Sequence, residues 1–161
     1  MRAALRHAKL PATSVFHLNM KPNGLFRKRI LLVEDNPRLR EAVRLLLCLE
    51  GHAVTEAENA RRACHLYTPG DFDLVITELV MPGMDGDELA RTLKCLVPSQ
   101  PILLIASGDA AFDSGIPVDG LLQKPFKFAE LRQTVATLLS CEGPNVPRLQ
   151  ERGASLKAPV K

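Results

Sequence analysis

Between residues 30 and 140, short apolar runs alternate with stretches that repeat at helical spacing, and this alternation constrains the fold more than any other feature of the chain. The run at 30–34 is short and apolar almost throughout, as suits a strand buried on both faces. Asn36 then offers a side-chain acceptor to the first free N–H groups of a helix. Pro37 fits the first helical position, where its missing N–H costs nothing. Leu39, Ala42, Val43, Leu46 and Leu49 recur at helical spacing, and Gly51 supplies the stop. Further strands are predicted at 53–57, 74–78, 101–106 and 120–123. Further helices are predicted at 59–67, 87–96 and 128–139, the last burying Leu131, Val135 and Leu138. Strands alternating with helices specify a parallel sheet with right-handed crossovers and helices on both faces.

One stretch breaks the rhythm. Residues 108–120 include Gly115 and Pro117 and show little helical periodicity. The fourth helix, which should fall there, is therefore expected to be short or missing.

A chain of 161 residues holds about one domain of this kind. With 46% hydrophobic residues, no Trp, one Tyr and six Phe, its core must be aliphatic. No apolar run approaches the roughly 20 residues needed to cross a bilayer, so a membrane role is not expected. Cys48, Cys64, Cys95 and Cys141 lie far apart without metal-binding spacing, which points to free thiols and a cytoplasmic setting. Cys48 and Cys95 are expected to be buried as small hydrophobes.

The formal charge of +3 conceals two unlike parts. Residues 1–29 carry seven Arg or Lys and no acid, whereas residues 30–161 carry 14 basic and 18 acidic side chains. Residues 1–28 read as a basic, disordered leader preceding a domain at 29–141, with Met20 a candidate start of translation. A transit-peptide composition and a nucleic-acid arm are the other readings of that leader. Residues 142–161, with three Pro and alternating charges, read as a disordered tail. The acidic domain lacks the continuous positive face that DNA phosphates require, so nucleic acid is not an expected partner.

In an open parallel sheet, ligands bind beyond the carboxyl ends of the strands. That rule selects Glu34 and Asp35 after the first strand, Glu78 after the third, Ser107 after the fourth and Lys124 after the fifth. No Gly-rich GxGxxG or GxxxxGK[ST] loop follows any strand, which argues against a dinucleotide or P-loop site.

Three motifs carry a resemblance: VEDNP at 33–37, MPGMDG at 81–86 and KPF at 124–126. In this order and spacing the stretch from about 30 to 140 resembles the receiver domain of two-component response regulators. The resemblance implies a flavodoxin-like, doubly wound α/β fold with a five-stranded parallel sheet in the order 2-1-3-4-5. It also implies a signalling module rather than an enzyme, one that takes a phosphoryl group from a phosphohistidine onto a carboxylate with the help of Mg²⁺. Glu34 and Asp35 match the family's acidic metal-binding pair, and the Val80 carbonyl matches its third protein ligand. Lys124 matches the lysine that contacts the phosphoryl oxygens as a point charge. A phosphatase of the aspartyl-phosphate type would need a DxD nucleophile motif, which is absent.

Three departures from the family pattern bear on function. Glu78 stands where the family has its phospho-accepting Asp, and its extra methylene displaces the carboxylate by about one C–C bond. Misplacing a reacting group by roughly 1 Å can cost about a hundredfold in rate, and positioning dominates phosphoryl transfer. The longer side chain could instead ligate Mg²⁺ or pair with Lys124. The family's Ser or Thr at the end of the fourth strand falls on Ala106 by simple counting and on Ser107 by local pattern, with Ser107 preferred. Leu121 replaces the family's switch aromatic.

These readings converge on a stand-alone, degenerate receiver: a protein-interaction module not efficiently phosphorylated, whose partner is a histidine kinase, a phosphotransfer protein or a downstream signalling protein. A Mg²⁺-dependent acceptor with slow or residual phosphorylation, or a phosphate sink, is the alternative. Whether Glu78 mimics the phosphorylated state or is inert is left open by the sequence.

Overall fold

The computed structural model describes residues 27–108 and 115–140. The tail at 142–161, and all of the leader but residues 27 and 28, lie outside the described residues. Five strands form one parallel sheet: β1 (Arg29–Val33), β2 (Ala53–Ala57), β3 (Leu74–Glu78), β4 (Ile102–Ser107) and β5 (Gly120–Lys124). Their order is β2-β1-β3-β4-β5, which makes the fold the expected doubly wound one. Among the described residues there are four helices: α1 (Pro37–Leu49), α2 (Ala60–Leu66), α3 (Gly86–Leu96) and α4 (Phe128–Ser140). Between β4 and β5, Gly108 and residues 115–119 carry no helix, and 109–114 lie outside the described residues.

The strands read as apolar runs because both faces of the sheet are covered. One layer packs Ile30, Leu32, Ile76, Leu103, Ile105 and Leu122 against α1 and α4. The other packs Leu31, Val33, Val75 and Ile102 against α2 and α3. Side chains alternate along a strand, so Leu74 and Ile76, facing α1 and α4, put Glu78 on that same side. The register gives the same side to Ser107 and Lys124, which are partners across β4 and β5.

The start of α1 follows from two residues. The Asn36 side chain accepts the backbone N–H groups of Arg38 at 3.0 Å and Leu39 at 3.2 Å, and Pro37 occupies the first turn. Gly51 closes the helix at φ +91°, donating to the Cys48 carbonyl at 2.9 Å.

Three expectations of burial are corrected. The buried stripe of α1 is Val43 and Leu47, while Leu49 is 77% exposed, because it lies with Leu45 and Cys48 on the face of the helix turned away from the sheet. In α4 the deeply placed residues are Leu131, Val135 and Leu139, with Leu138 only partly buried. Cys48 and Cys95 are exposed, each on the outer side of its helix, and Cys64 is half-buried. Cys141 lies outside the described residues.

Candidate functional site

The carboxyl ends of β1, β3 and β5 bring Glu34, Glu78 and Lys124 together. Glu34 and Glu78 are almost fully buried, at 2% and 3% exposure. Buried carboxylates are costly unless paired, and both are paired with one ammonium. The Lys124 Nζ donates to Glu34 Oε2 at 3.1 Å and to Glu78 Oε2 in a short contact. The second oxygen of each acid is also engaged. Glu34 Oε1 accepts the Asn36 N–H at 3.1 Å, and Glu78 Oε1 accepts the Leu79 N–H at 3.1 Å.

The electrostatics follow from one cation shared by two acids. Burial pushes the Glu34 carboxyl above its ordinary value, and the opposing pull of Lys124 and of the Asn36 N–H does not restore it. Burial alone would lower the pKa of Lys124, but hydrogen bonds to Glu78 and Glu34 and their charges outweigh that and raise it. The ammonium is therefore firmly charged and firmly held.

The backbone around these groups is shaped by two further residues. Arg40, on the first turns of α1, donates from a guanidinium NH to the Glu34 carbonyl at 2.7 Å. Gly86, where α3 begins, donates its N–H to the Leu79 carbonyl at 2.7 Å. A Cβ on Gly86 would stand 2.0 Å from the Glu78 carbonyl oxygen, so only glycine allows the loop to return this closely. Within that loop, Asp85 accepts the Met81 N–H at 3.2 Å instead of capping α3.

The remaining sequence-selected residues lie around this centre. Asp35 is exposed beside Glu34, and Val80 is 63% exposed on the loop after β3. Ala106 is buried at 5% exposure and pairs with Gln123, while Ser107 is exposed and pairs with Lys124. Leu121 is 41% exposed.

Carboxylates and a carbonyl are the hard oxygen donors that Mg²⁺ prefers. Their arrangement is less suited to it: the Lys124 ammonium sits between Glu34 and Glu78. Among the described residues no three His, Cys, Asp or Glu side chains are grouped to hold a metal ion. As placed, the residues do not fit a cation shared by Glu34, Asp35 and Glu78.

Sequence reading found the two glutamates and the lysine but missed Arg40 and the close approach at Gly86. Arg40 was detectable in principle, because helical side chains lean toward the N-terminus and a long one on the second turn reaches the preceding loop.

A model of the response regulator receiver domain matches residues 30–136. The chain belongs to this family. The receiver is 34% identical over 116 residues to the transcriptional regulatory protein ResD of Bacillus subtilis, covering 69% of this chain and 48% of that one. It is 33% identical over 115 residues to CusR of Escherichia coli, covering 69% of this chain and 51% of that one. The chain thus spans about half the length of the curated relatives it matches. Among solved structures it resembles the TrrA response regulator of Thermotoga maritima in complex with Mg²⁺ and BeF. That likeness has a TM-score of 0.64 at 34% identity and covers 69% of this chain and 98% of that one. It also resembles the non-phosphorylated HemR receiver of Leptospira biflexa, with a TM-score of 0.70 at 27% identity, covering 74% of this chain and all of that one. No helix among the described residues is long and apolar enough to cross a membrane.

Proposed function

We propose that this receiver of two-component signalling is held in one state and acts by binding a partner protein rather than by accepting a phosphoryl group. The observation that carries the reading is the closed contact among Glu34, Lys124 and Glu78. In the family resemblance, Lys124 is the residue that meets an arriving phosphoryl oxygen. Here the Glu78 carboxylate, one methylene longer than Asp, already meets it. Both Glu78 oxygens are engaged, so an incoming phosphoryl group must break a buried ion pair before any bond forms.

On this reading Glu78 is the substituted acceptor, Lys124 its permanent counter-ion and Ser107 the strand-four hydroxyl. Glu34, Asp35 and the Val80 carbonyl are the remnants of a Mg²⁺ site. The partner is a histidine kinase, a phosphotransfer protein or a downstream signalling protein, met through the surface around this site. The cation plays no part in the resting state, because an ammonium holds the position between the two glutamates.

The test is phosphorylation by acetyl phosphate with Mg²⁺, read by intact-protein mass under mild conditions. The native chain is expected to show no phosphoryl adduct and Glu78→Asp to show one. Beryllofluoride should bind Glu78→Asp at least about a hundredfold more tightly than the native chain. A stoichiometric adduct mapped to Glu78 would sink the proposal. It would favour the second reading, a slow Mg²⁺-dependent acceptor or phosphate sink, which the survival of both acids and the lysine at one site supports.

A further inference from the structure

Arg40 touches neither Glu78 nor Lys124, yet its contacts converge on the corner that holds them. Its guanidinium donates to the Glu34 carbonyl at 2.7 Å and lies 3.5 Å from the Asp35 carbonyl. The Nε of the same side chain faces Glu56 Oε1 at 3.4 Å. Glu56 lies on β2, directly opposite Leu32 of β1 in the register. Glu56 is anchored in turn by Arg44 at 3.3 Å, which also pairs with Glu41. The Arg40 side chain is only 19% exposed, so these contacts are partly shielded from solvent.

The backbone explains why such a residue is needed. Glu34 follows the last residue of β1, and its N–H still donates to the Ala57 carbonyl of β2 at 3.2 Å. Its own carbonyl is satisfied by Arg40, and a buried carbonyl without a partner is costly. The chain then turns into α1, with the Asn36 N–H directed at the Glu34 carboxylate. The direction of the Glu34 side chain is thus fixed from both sides: Asn36 holds its carboxylate and Arg40 its backbone.

We propose that Arg40 is a positioning residue, a strap that ties the acidic β1–α1 corner to β2 and sets where Glu34 meets Lys124. The strap rests on the reading above in one respect only, that the Glu34–Lys124–Glu78 contact is the resting state of the site. It adds a way in which the state of the site can be set from the β2 edge. A change at Glu56 or Arg44 reaches Lys124 through Arg40, without contact with the site itself.

The test is competitive acetylation of the full chain with acetic anhydride, read lysine by lysine by mass spectrometry. Lys127 is exposed and serves as the reference. Lys94 pairs with Asp119 at 2.8 Å away from the strap and reports on the fold as a whole. In the native chain Lys124 should react well below Lys127. Arg40→Met keeps the aliphatic stem but removes the donors, and should raise the Lys124-to-Lys127 ratio about three- to tenfold with Lys94 unchanged. Arg40→Lys, which can reach the carbonyl but not span to Glu56, should fall between the two. Glu56→Gln, which leaves Arg40 in place and cuts the other end, should raise the ratio by a smaller factor and keeps the test available if Arg40→Met does not fold. An unchanged ratio in folded Arg40→Met overturns the strap, as does a parallel rise of Lys124 and Lys94, which would mean general loosening. A native Lys124 that reacts as fast as Lys127 overturns the closed contact as well, and only that outcome reaches the functional reading.

Discussion

At the β1–β3 end of the site, Glu34 and Glu78 are buried, both meet Lys124, and each has a backbone N–H on its other oxygen. At the β4 end the picture is the opposite: Ala106 is buried with no polar atom on its side chain, Ser107 is exposed, and Leu121 stands half-exposed without a ring. The first region is a set of mutually satisfied charges and the second offers little that could register a change in them. A phosphorylation switch needs both, a centre whose charge changes and neighbours that respond. The contrast suits a module whose centre is internally paired, and each region can be broken separately to test that.

The largest effect should come from opening the charged region. Lys124→Met leaves two buried carboxylates without their cation, and removing one partner of a buried pair costs about 3–5 kcal/mol. The loss should depend on pH in a defined direction. Glu34 already has a raised pKa in the fold, and without Lys124 the groups that lower it are fewer, so it rises further. A carboxyl whose folded pKa exceeds its unfolded value near 4.5 destabilises the fold when ionised. Stability of the variant should therefore recover as pH falls from neutral toward 4.5. Native Lys124 works in the other sense: its contribution is complete below the unfolded value of 10.5 and is lost as pH climbs through the raised folded value. Urea unfolding of both proteins near neutral pH and near pH 5 measures this. An equal deficit at the two pH values would mean that the acids are not the source of the loss.

How much of this was legible in the sequence differs between the two regions for a physical reason. The alternation of strands and helices, the helix starts and the Glu34, Glu78 and Lys124 positions follow from periodicity, capping chemistry and motif spacing, all local in the chain. The strand order came only with the family resemblance. Asn36 and Pro37 mark the start of α1 because a cap is decided within four residues. The shared ammonium is a different kind of fact. It joins residues 90 and 46 positions apart, and only the register of the sheet reveals that one lysine serves both acids. The outer face of a helix is equally hard to tell from its inner one when both carry apolar residues. Leu49 and Cys48 fit an apolar pattern, yet with Leu45 they fall on the outer face of α1, while Leu47 of the same turn is buried against the sheet. The Ala106 and Ser107 ambiguity has the same root, since counting along β4 cannot say which residue faces Lys124.

A smaller but still clear effect should come from the loop that joins the two regions. Gly86→Ala would place a Cβ against the Glu78 carbonyl, a backbone atom that cannot yield like a flexible side chain. Forced overpacking of this sort costs about 1–3 kcal/mol. Because the clash falls on Glu78 itself, the Lys124 contact should loosen too, and Lys124 acetylation should rise beyond what the stability change alone brings to Lys94. The comparison of the two lysines in this variant separates displacement of Glu78 from plain destabilisation. If both lysines stay protected at native levels, the close approach is not what holds the β3 end in place.

The finest distinction concerns the β4 end alone, and it needs the acceptor restored first. In a Glu78→Asp background, beryllofluoride with Mg²⁺ supplies a ligand that a strand-four hydroxyl can meet. Ser107 and Lys124 are register partners and share a face, whereas Ala106 pairs with Gln123 on the other. Ser107→Ala should therefore weaken beryllofluoride binding by about tenfold, the worth of one hydrogen bond to a charged group at about 1.4 kcal/mol. The same substitution should leave the unfolding midpoint nearly unchanged, because an exposed serine contributes within about 0.5 kcal/mol. Ala106→Ser, by contrast, puts a hydroxyl into a buried position at a cost in stability and should give no gain in affinity. If Ala106→Ser tightens binding while Ser107→Ala does nothing, simple counting along the strand was the better guide. The β4 end would then lack its hydroxyl altogether, and the contrast between the two ends of the site would be sharper than the register alone suggests.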